Sequence, residues 1–166
     1  MKFVEPSFAW RTAFQDMARE CEATGLHRYG LALRDFHAYL WRVEENRRGE
    51  RLVDERGPEL EFWLEERHAI VGCARLRLTL TPELEKEGGH IGYDVRPSMR
   101  RQGYGTALLG LTLLEARSRG IQRARITCDV DNEGSSKVIE RNGGKLAGMA
   151  QSPESGNTVK QYWIEL

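Results

Sequence analysis

Apolar residues recur at helical spacing near the start of the chain. Trp10, Phe14, Met17 and Cys21 fall at steps of three to four, the repeat of one helix face, and Ser7 stands where a cap would. Beyond Gly25 and Gly30, Phe36, Tyr39, Leu40 and Val43 form the apolar face of a second helix, which dissolves into the polar run 44–49. The period then changes to two. Leu60, Phe62 and Leu64 alternate with Glu61, Trp63 and Glu65, and a polar turn at 66–68 follows. Ala74, Leu76, Leu78 and Leu80 then oppose Arg75, Arg77 and Thr79. This predicts an antiparallel hairpin with one covered face. An acidic loop over 81–89 ends in Gly88-Gly89, and a short strand over 90–95 is stopped by Pro97.

The strongest helical pattern spans 103–119, with Ala107, Leu108, Leu111 and Leu114 as one stripe widened by Leu109, Leu113 and Ala116. Arg117 and Arg119 suit the negative end of its dipole, and Gly120 suits its exit. A strand over 123–130, a short helix over 134–141 and a closing strand over 158–166 complete the pattern. Together they predict a mixed α/β (α+β) chain: helices, a hairpin, then β-α-β with a right-handed crossover.

Composition narrows the class. The 166 residues fit one domain, 1–166, and 40% are hydrophobic, ordinary for a soluble protein. Lys+Arg and Asp+Glu each number 25, so the charge balance speaks against a broad nucleic-acid or membrane footprint. Cys21, Cys73 and Cys128 are scattered and odd in number, which reads as small buried hydrophobes in a reducing, cytoplasmic setting. No run approaches the ~20 apolar residues of a membrane span. His27, His37 and His68 have no ligand spacing, so no metal site is expected.

The candidate chemistry lies between Val95 and Leu109. A strand ends, Pro97 directs a loop through Arg100, Arg101 and Gln102, and Gly103 and Gly105 open the amphipathic helix with Tyr104 and Thr106. Glycines there let backbone N–H groups approach a ligand, and a helix N-terminus favours phosphate. The same residues also suit a tight strand-to-helix turn with solvated arginines, and the local pattern leaves both readings open. Neither a G-x-x-x-x-G-K-[ST] string nor a dinucleotide fingerprint after a first strand is present.

Arg100, Gly103 and Gly105, preceded by Val95-x-Pro97 and followed by Leu108-Leu109, resemble the acetyl-CoA loop of the GNAT superfamily of N-acetyltransferases, [RQ]-x-x-G-x-[GA]. Residues 128–144 are similar to the family's next strand and helix, with Asn132 past the strand, Ser135 three residues on and Gly143 as terminator. The likeness covers about 60–166. Gly89 to Tyr93 and Gln161 to Ile164 resemble a bacterial branch of uncharacterised predicted acetyltransferases.

The resemblance implies a central, mostly antiparallel twisted sheet flanked by helices, with a splayed parallel strand pair at the cofactor site. It implies that Tyr93, Asp94 and Val95 flank the pantetheine arm and that a backbone N–H at Val95 polarises the thioester carbonyl. Amides from Gln102 to Thr106, beside Arg100 and Arg101, would hold the diphosphate, and Asn132 and Ser135 the pantetheine; Asn132 alternatively caps a helix.

Direct transfer of acetyl to an amine of a small molecule or peptide is the expected reaction, in a monomer or homodimer. The amine must lose a proton, and the departing thiolate, pKa ~8.5 for a simple thiol, takes one. Relatives supply the second from a Tyr where this chain has Ile139; Tyr104, Tyr93 or Tyr162 are the alternatives. Their strand Glu falls near Gly89, which makes His90 the nearest candidate base, weighed against a hydrogen-bonded structural histidine. These two departures keep a rival open, an acyl-CoA-binding sensor.

Overall fold

The computed structural model describes residues 1–49, 57–152 and 156–166. Strand β1 (Lys2–Val4) precedes helices α1 (Arg11–Ala23), α2 (Gly30–Arg34) and α3 (Phe36–Arg48). Strands β2 (Glu59–Glu66) and β3 (Ala69–Arg77), helix α4 (Pro82–Lys86) and strand β4 (Ile91–Val95) come next. Helix α5 (Tyr104–Ser118), strand β5 (Arg123–Asp129), helix α6 (Glu133–Arg141) and strands β6 (Lys145–Gln151) and β7 (Thr158–Glu165) follow.

The strands form two antiparallel sheets, ordered β1-β2-β3-β4 and β5-β7-β6. Consequently β4 and β5 are edges, and they meet where the His90 N–H donates to the Arg125 carbonyl at 2.8 Å. Beyond that point they part, with Val95 and the exit of β5 at Asn132 on opposite sides of one cleft. Their starts lie together and their ends flank the same opening, so they run the same way, joined by the α5 crossover.

Burial on both faces holds the first sheet. On one, Leu108, Leu109, Leu113 and Ala116 of α5 pack with Phe62, Leu64, Ala74, Leu76 and Ile91. On the other, Phe14, Met17 and Cys21 of α1 and Phe36 and Tyr39 of α3 cover Trp63, Ile70 and Cys73. The Phe14 ring stacks on Trp63 at 4.1 Å between centroids. Each such fully buried apolar side chain contributes about 1.5–3 kcal/mol.

This corrects the one-sided hairpin. The alternate positions read as its wet face lie beneath the first helices, where Tyr39 and Trp63 donate to Glu61, and Arg75 donates to Asp94. Strand β3 also stops at Arg77, leaving Leu78 exposed and Leu80 outside it. Ser7 makes no side-chain cap bond. The second helix is α3, preceded by the short α2: Asp35 ends α2 and caps α3 by accepting from the Ala38 N–H at 3.0 Å. Polar residues 44–48 continue α3 to a left-handed Gly49.

Within the acidic loop, Thr81 caps the one-turn α4 and buries Leu84. The buried face of α5 runs through Gly105, Leu108, Leu109, Thr112, Leu113 and Ala116, while Leu114 is 64% exposed. Leucines on several sides of that helix make its stripe ambiguous from spacing alone. Strands β1 and β6 escaped the pattern; β6 is an edge strand with Leu146 and Met149 exposed and no alternation to betray it.

Candidate active site

Alternation along β4 decides what its open edge offers. The Arg96 N–H donates to the Val71 carbonyl at 2.9 Å, on the β3 side. In an antiparallel ladder, neighbouring residues direct their backbone groups to opposite sides. The N–H groups of Tyr93 and Val95 therefore face away from β3, and no strand among the described residues pairs with that edge. Side chains alternate in the perpendicular sense. Tyr93 and Val95 lie toward α6 and α5, whereas Asp94 turns to the opposite face, toward Tyr29 in the turn before α2.

The gap widens into a cleft of about 760 Å³. Tyr93, Asp94 and Val95 form one wall, and Arg100, Arg101, Gly103, Gly105 and Thr106 the head. Asn132, Ser135 and Val138 belong to the opposite wall. A smaller cavity of about 180 Å³ between α3 and β2 lies away from both strand edges.

At the head, Arg101 adopts φ 61° and Gly103 φ 87°. A Cβ on Gly103 would meet nothing within 4 Å, so backbone conformation, not room, asks for glycine. Gly105 differs, for a Cβ there would lie 3.2 Å from a Val138 methyl and 3.4 Å from one of Val95. The ladder of α5 begins with the Ala107 N–H donating to Gly103 at 3.1 Å. Hence the N–H groups of Tyr104, Gly105 and Thr106 have no intrahelical acceptor, and they sit at the positive end of the dipole.

Glu20 of α1 braces this loop from outside, accepting from Arg96 Nε at 2.7 Å and from the Ser98 N–H at 3.0 Å. Burial pushes its carboxyl up, but the Arg96 and Ser98 hydrogen bonds outweigh that and bring it down to about 2.

On the far wall, Asn132 Oδ1 accepts from the Ser135 N–H at 3.0 Å, the cap of α6. The Ser135 hydroxyl meets the Tyr93 hydroxyl at 2.8 Å, bridging β4 and α6. Lys137 and Arg141 also line the cleft and were missed from sequence. Their signal was available: 134, 137 and 141 recur at helical spacing on one face. With Arg100 and Arg101 they make a rim of four cations beside the Glu133 carboxylate, which stands 3.5 Å from Lys137 Nζ.

Two expected residues, Gln102 and Tyr104, stand apart from the cleft, and a third, Asp94, lines it while its side chain bonds elsewhere. Gln102 donates to the Ser98 carbonyl at 3.3 Å, and Tyr104 packs on the cluster of Leu64, Val71, Ala74 and Leu108. Asp94 Oδ2 accepts from Tyr29 at 2.7 Å and Arg75 at 2.8 Å. Burial opposes its charge, yet Arg75, Tyr29 and Arg28 hold its carboxyl below the ordinary range. Burial chiefly pushes the Tyr93 phenol up to about 12.

His90, 8% exposed, accepts the Arg125 N–H at Nδ1, 2.9 Å. A backbone N–H can only donate, so the imidazole is neutral with its proton on Nε2. Burial first, and Arg77 second, lower its pKa. At Ile139 the chain offers only buried hydrocarbon, and Cys128 is buried with Sγ 3.5 Å from Ser136 Oγ. Among the described residues no His, Cys, Asp or Glu cluster is placed to hold a metal, and no helix is long and apolar enough to cross a membrane.

Solved structures share this architecture. The microcin self-immunity acetyltransferase MccE, in complex with acetyl-CoA and AMP, is 15% identical over 99% of this chain and 91% of its own, with a TM-score of 0.75. RimJ of Mycobacterium smegmatis, in complex with CoA-disulfide, is 16% identical over 98% and 80%, also at 0.75. RimL, a ribosomal-protein alpha-N-acetyltransferase, is 18% identical over 99% and 89%, at 0.69. No curated protein matches the sequence. The profile of the acetyltransferase (GNAT) family matches residues 13–152. With its parted strand edges and the loop at the head of α5, the chain belongs to the acetyltransferase (GNAT) family and is an acetyl-CoA-dependent N-acyltransferase.

Proposed function

We propose that the protein acetylates an amine of a small molecule or peptide, using the cleft between β4 and α6 for the donor. The single observation that carries this reading is the unpaired edge of β4, which turns the Tyr93 and Val95 N–H groups into the gap. The cleft fits the donor's parts: a strand edge for the amide-bearing arm, free amides at a helix start and a cationic rim for the diphosphate. Gly105 keeps that helix start close to Val95, where a side chain would push it away.

Acetyl-CoA supplies the acetyl group as a thioester; an N–C bond forms, the C–S bond breaks, and one proton passes from nitrogen to sulfur. Amides of Gly103 to Thr106, with Arg100, Arg101, Lys137 and Arg141, hold the diphosphate. The Val95 N–H donates to the carbonyl oxygen as charge develops there. Tyr93 and Ser135 close the wall beside the arm, and the amide nitrogen of Asn132, whose oxygen is spent on the cap, donates to it. The amine arrives from the other face of β4, where the Asp94 side chain remains 18% exposed. Asp94, committed to Arg75 and Tyr29, orders that face and does not bind the donor.

Release of free thiol from acetyl-CoA, measured with amino acids, polyamines, aminoglycosides and peptide N-termini, tests the reading. A ribosomal-protein α-amine and spermidine, acceptors named for structural neighbours, belong in the panel. Saturable binding of acetyl-CoA without thiol release from any amine would instead favour the sensor.

A further inference from the structure

Where β4 and β5 part, one residue bonds three ways. The His90 N–H donates to the Arg125 carbonyl of β5 at 2.8 Å, and the His90 carbonyl accepts from the Arg77 N–H of β3 at 2.8 Å. Its Nδ1 accepts the Arg125 N–H at 2.9 Å. A parallel ladder would continue with β5 donating to the His90 carbonyl, but that carbonyl is taken by β3. The Arg125 N–H, which a ladder would give to the Gly88 carbonyl, is taken by the imidazole, while Arg77 claims the carbonyls of Gly88 and Gly89 at 3.3 and 3.2 Å. Gly89 lets the chain come this close, since a Cβ there would lie 2.3 Å from the Arg125 carbonyl oxygen.

Resting on the donor site proposed above, we infer that His90 is a positioning residue: its imidazole, bonded to the Arg125 N–H, anchors β4 to β5 at the root of the cleft and thereby sets where the strands part to receive the thioester. This replaces the expectation that His90 is the base. Its only lone pair in the neutral ring is spent on Arg125, so accepting a substrate proton would break the junction it maintains. The Val95 amide sits five residues along the same strand, and its aim toward the carbonyl depends on where β4 leaves β5.

The test compares His90→Asn, whose side-chain oxygen can reach the place of Nδ1, with His90→Phe, which keeps bulk and removes the acceptor. Three quantities are read: Arg125 amide exchange, acetyl-CoA affinity by calorimetry, and the pH dependence of thiol release. The Phe variant should lose Arg125 protection, weaken acetyl-CoA by about tenfold and lower kcat. The Asn variant should restore all three to within about threefold, with the wild-type pH profile, because rescue needs an acceptor and not a base. Loss of rate in the Asn variant by about 10²-fold at unchanged acetyl-CoA affinity and unchanged Arg125 protection would overturn the inference in favour of a base. So would a Phe variant with wild-type affinity and rate. Should the Phe variant fail to fold, the Asn variant decides alone: near-wild-type protection, affinity and pH profile uphold the inference, and the roughly hundredfold loss at unchanged affinity and protection overturns it. Exchange and affinity are read without turnover, so absence of transferase activity in the wild type would count against the proposed function and not against this junction.

Discussion

Glu20 and Arg96 meet at 2.7 Å across the seam between the first helix and the loop that leads into α5. The same carboxylate accepts the Ser98 N–H, so one α1 residue fixes both flanks of Pro97. Glu20→Gln keeps the size and removes the charge. It should weaken acetyl-CoA by about three- to tenfold, since charge-assisted bonds contribute roughly 1–3 kcal/mol where partly shielded. The sign with pH follows from a carboxyl lowered from 4.5 to about 2. Its contribution is complete above pH 4.5 and is lost as pH falls toward 2. Thermal melts between pH 5 and pH 3 should fall more steeply for the wild type than for Glu20→Gln; parallel curves would deny the pair a role.

Gly103 and Gly105 should fail for different reasons. Valine at 103 has room but must adopt a backbone conformation that costs an L-residue about 1 kcal/mol or more. Valine at 105 must displace Val138 or Val95. Both should weaken acetyl-CoA by about tenfold or more. Gly103→Asn separates them, because asparagine tolerates left-handed backbone; it should recover most of the affinity. Equal affinity for acetyl-CoA in folded variants at both positions would remove the helix head from the site.

The rim of Arg100, Arg101, Lys137 and Arg141 should be read through salt. These side chains stand on two walls of the cleft, and exposed charges at such distances are screened over about 8–10 Å at physiological salt. Lys137→Ala with Arg141→Ala should weaken acetyl-CoA more than a pantetheine fragment lacking phosphate. The difference should shrink as salt rises from about 50 mM to about 500 mM. Equal losses for both ligands, titrated by calorimetry, would show that α6 reads something other than phosphate.

Much of this arrangement was legible because it is local. The helix head was readable from Gly103, Gly105 and Pro97, since backbone conformation and N-terminal amides are properties of a few consecutive residues. Period two located β2 and β3 for the same reason. What misled were positions decided by distant partners. Arg75 looked like a solvent-facing strand residue, yet it is buried because Tyr29 and Asp94, from a helix turn and another strand, accept from its two terminal nitrogens. His90 stayed open between a base and a hydrogen-bonded structural histidine, because imidazoles titrate near neutrality. Only the approach of β5 reveals that its lone pair is spent. Lys137 and Arg141 were legible as a helix stripe but not as a wall of the cleft, because the stripe's meaning depends on α6 facing β4.

The 2.8 Å contact between Tyr93 and Ser135 bears on the missing acid. A phenol held at about 12, mainly by burial, is a weaker acid than a simple thiol near ~8.5 by several units. Passing its proton to a departing thiolate would therefore run uphill. Tyr93 is better suited to holding α6 against β4 than to protonating sulfur. Tyr93→Phe should accordingly lower kcat by less than about tenfold, raise the KM for acetyl-CoA, and leave the alkaline limb of the pH–rate profile in place. Its cost should appear in stability, about 1 kcal/mol for a lost, partly buried hydroxyl pair. Tyr93→Phe and Ser135→Ala, made singly and together, should then show a coupling of about that size in denaturant melts, because each already removes the bond that the other would break. If turnover instead dropped by about a hundredfold or more at unchanged acetyl-CoA affinity, with the alkaline limb shifted, Tyr93 would be the proton donor after all. Ser135 would then be the group that orients it.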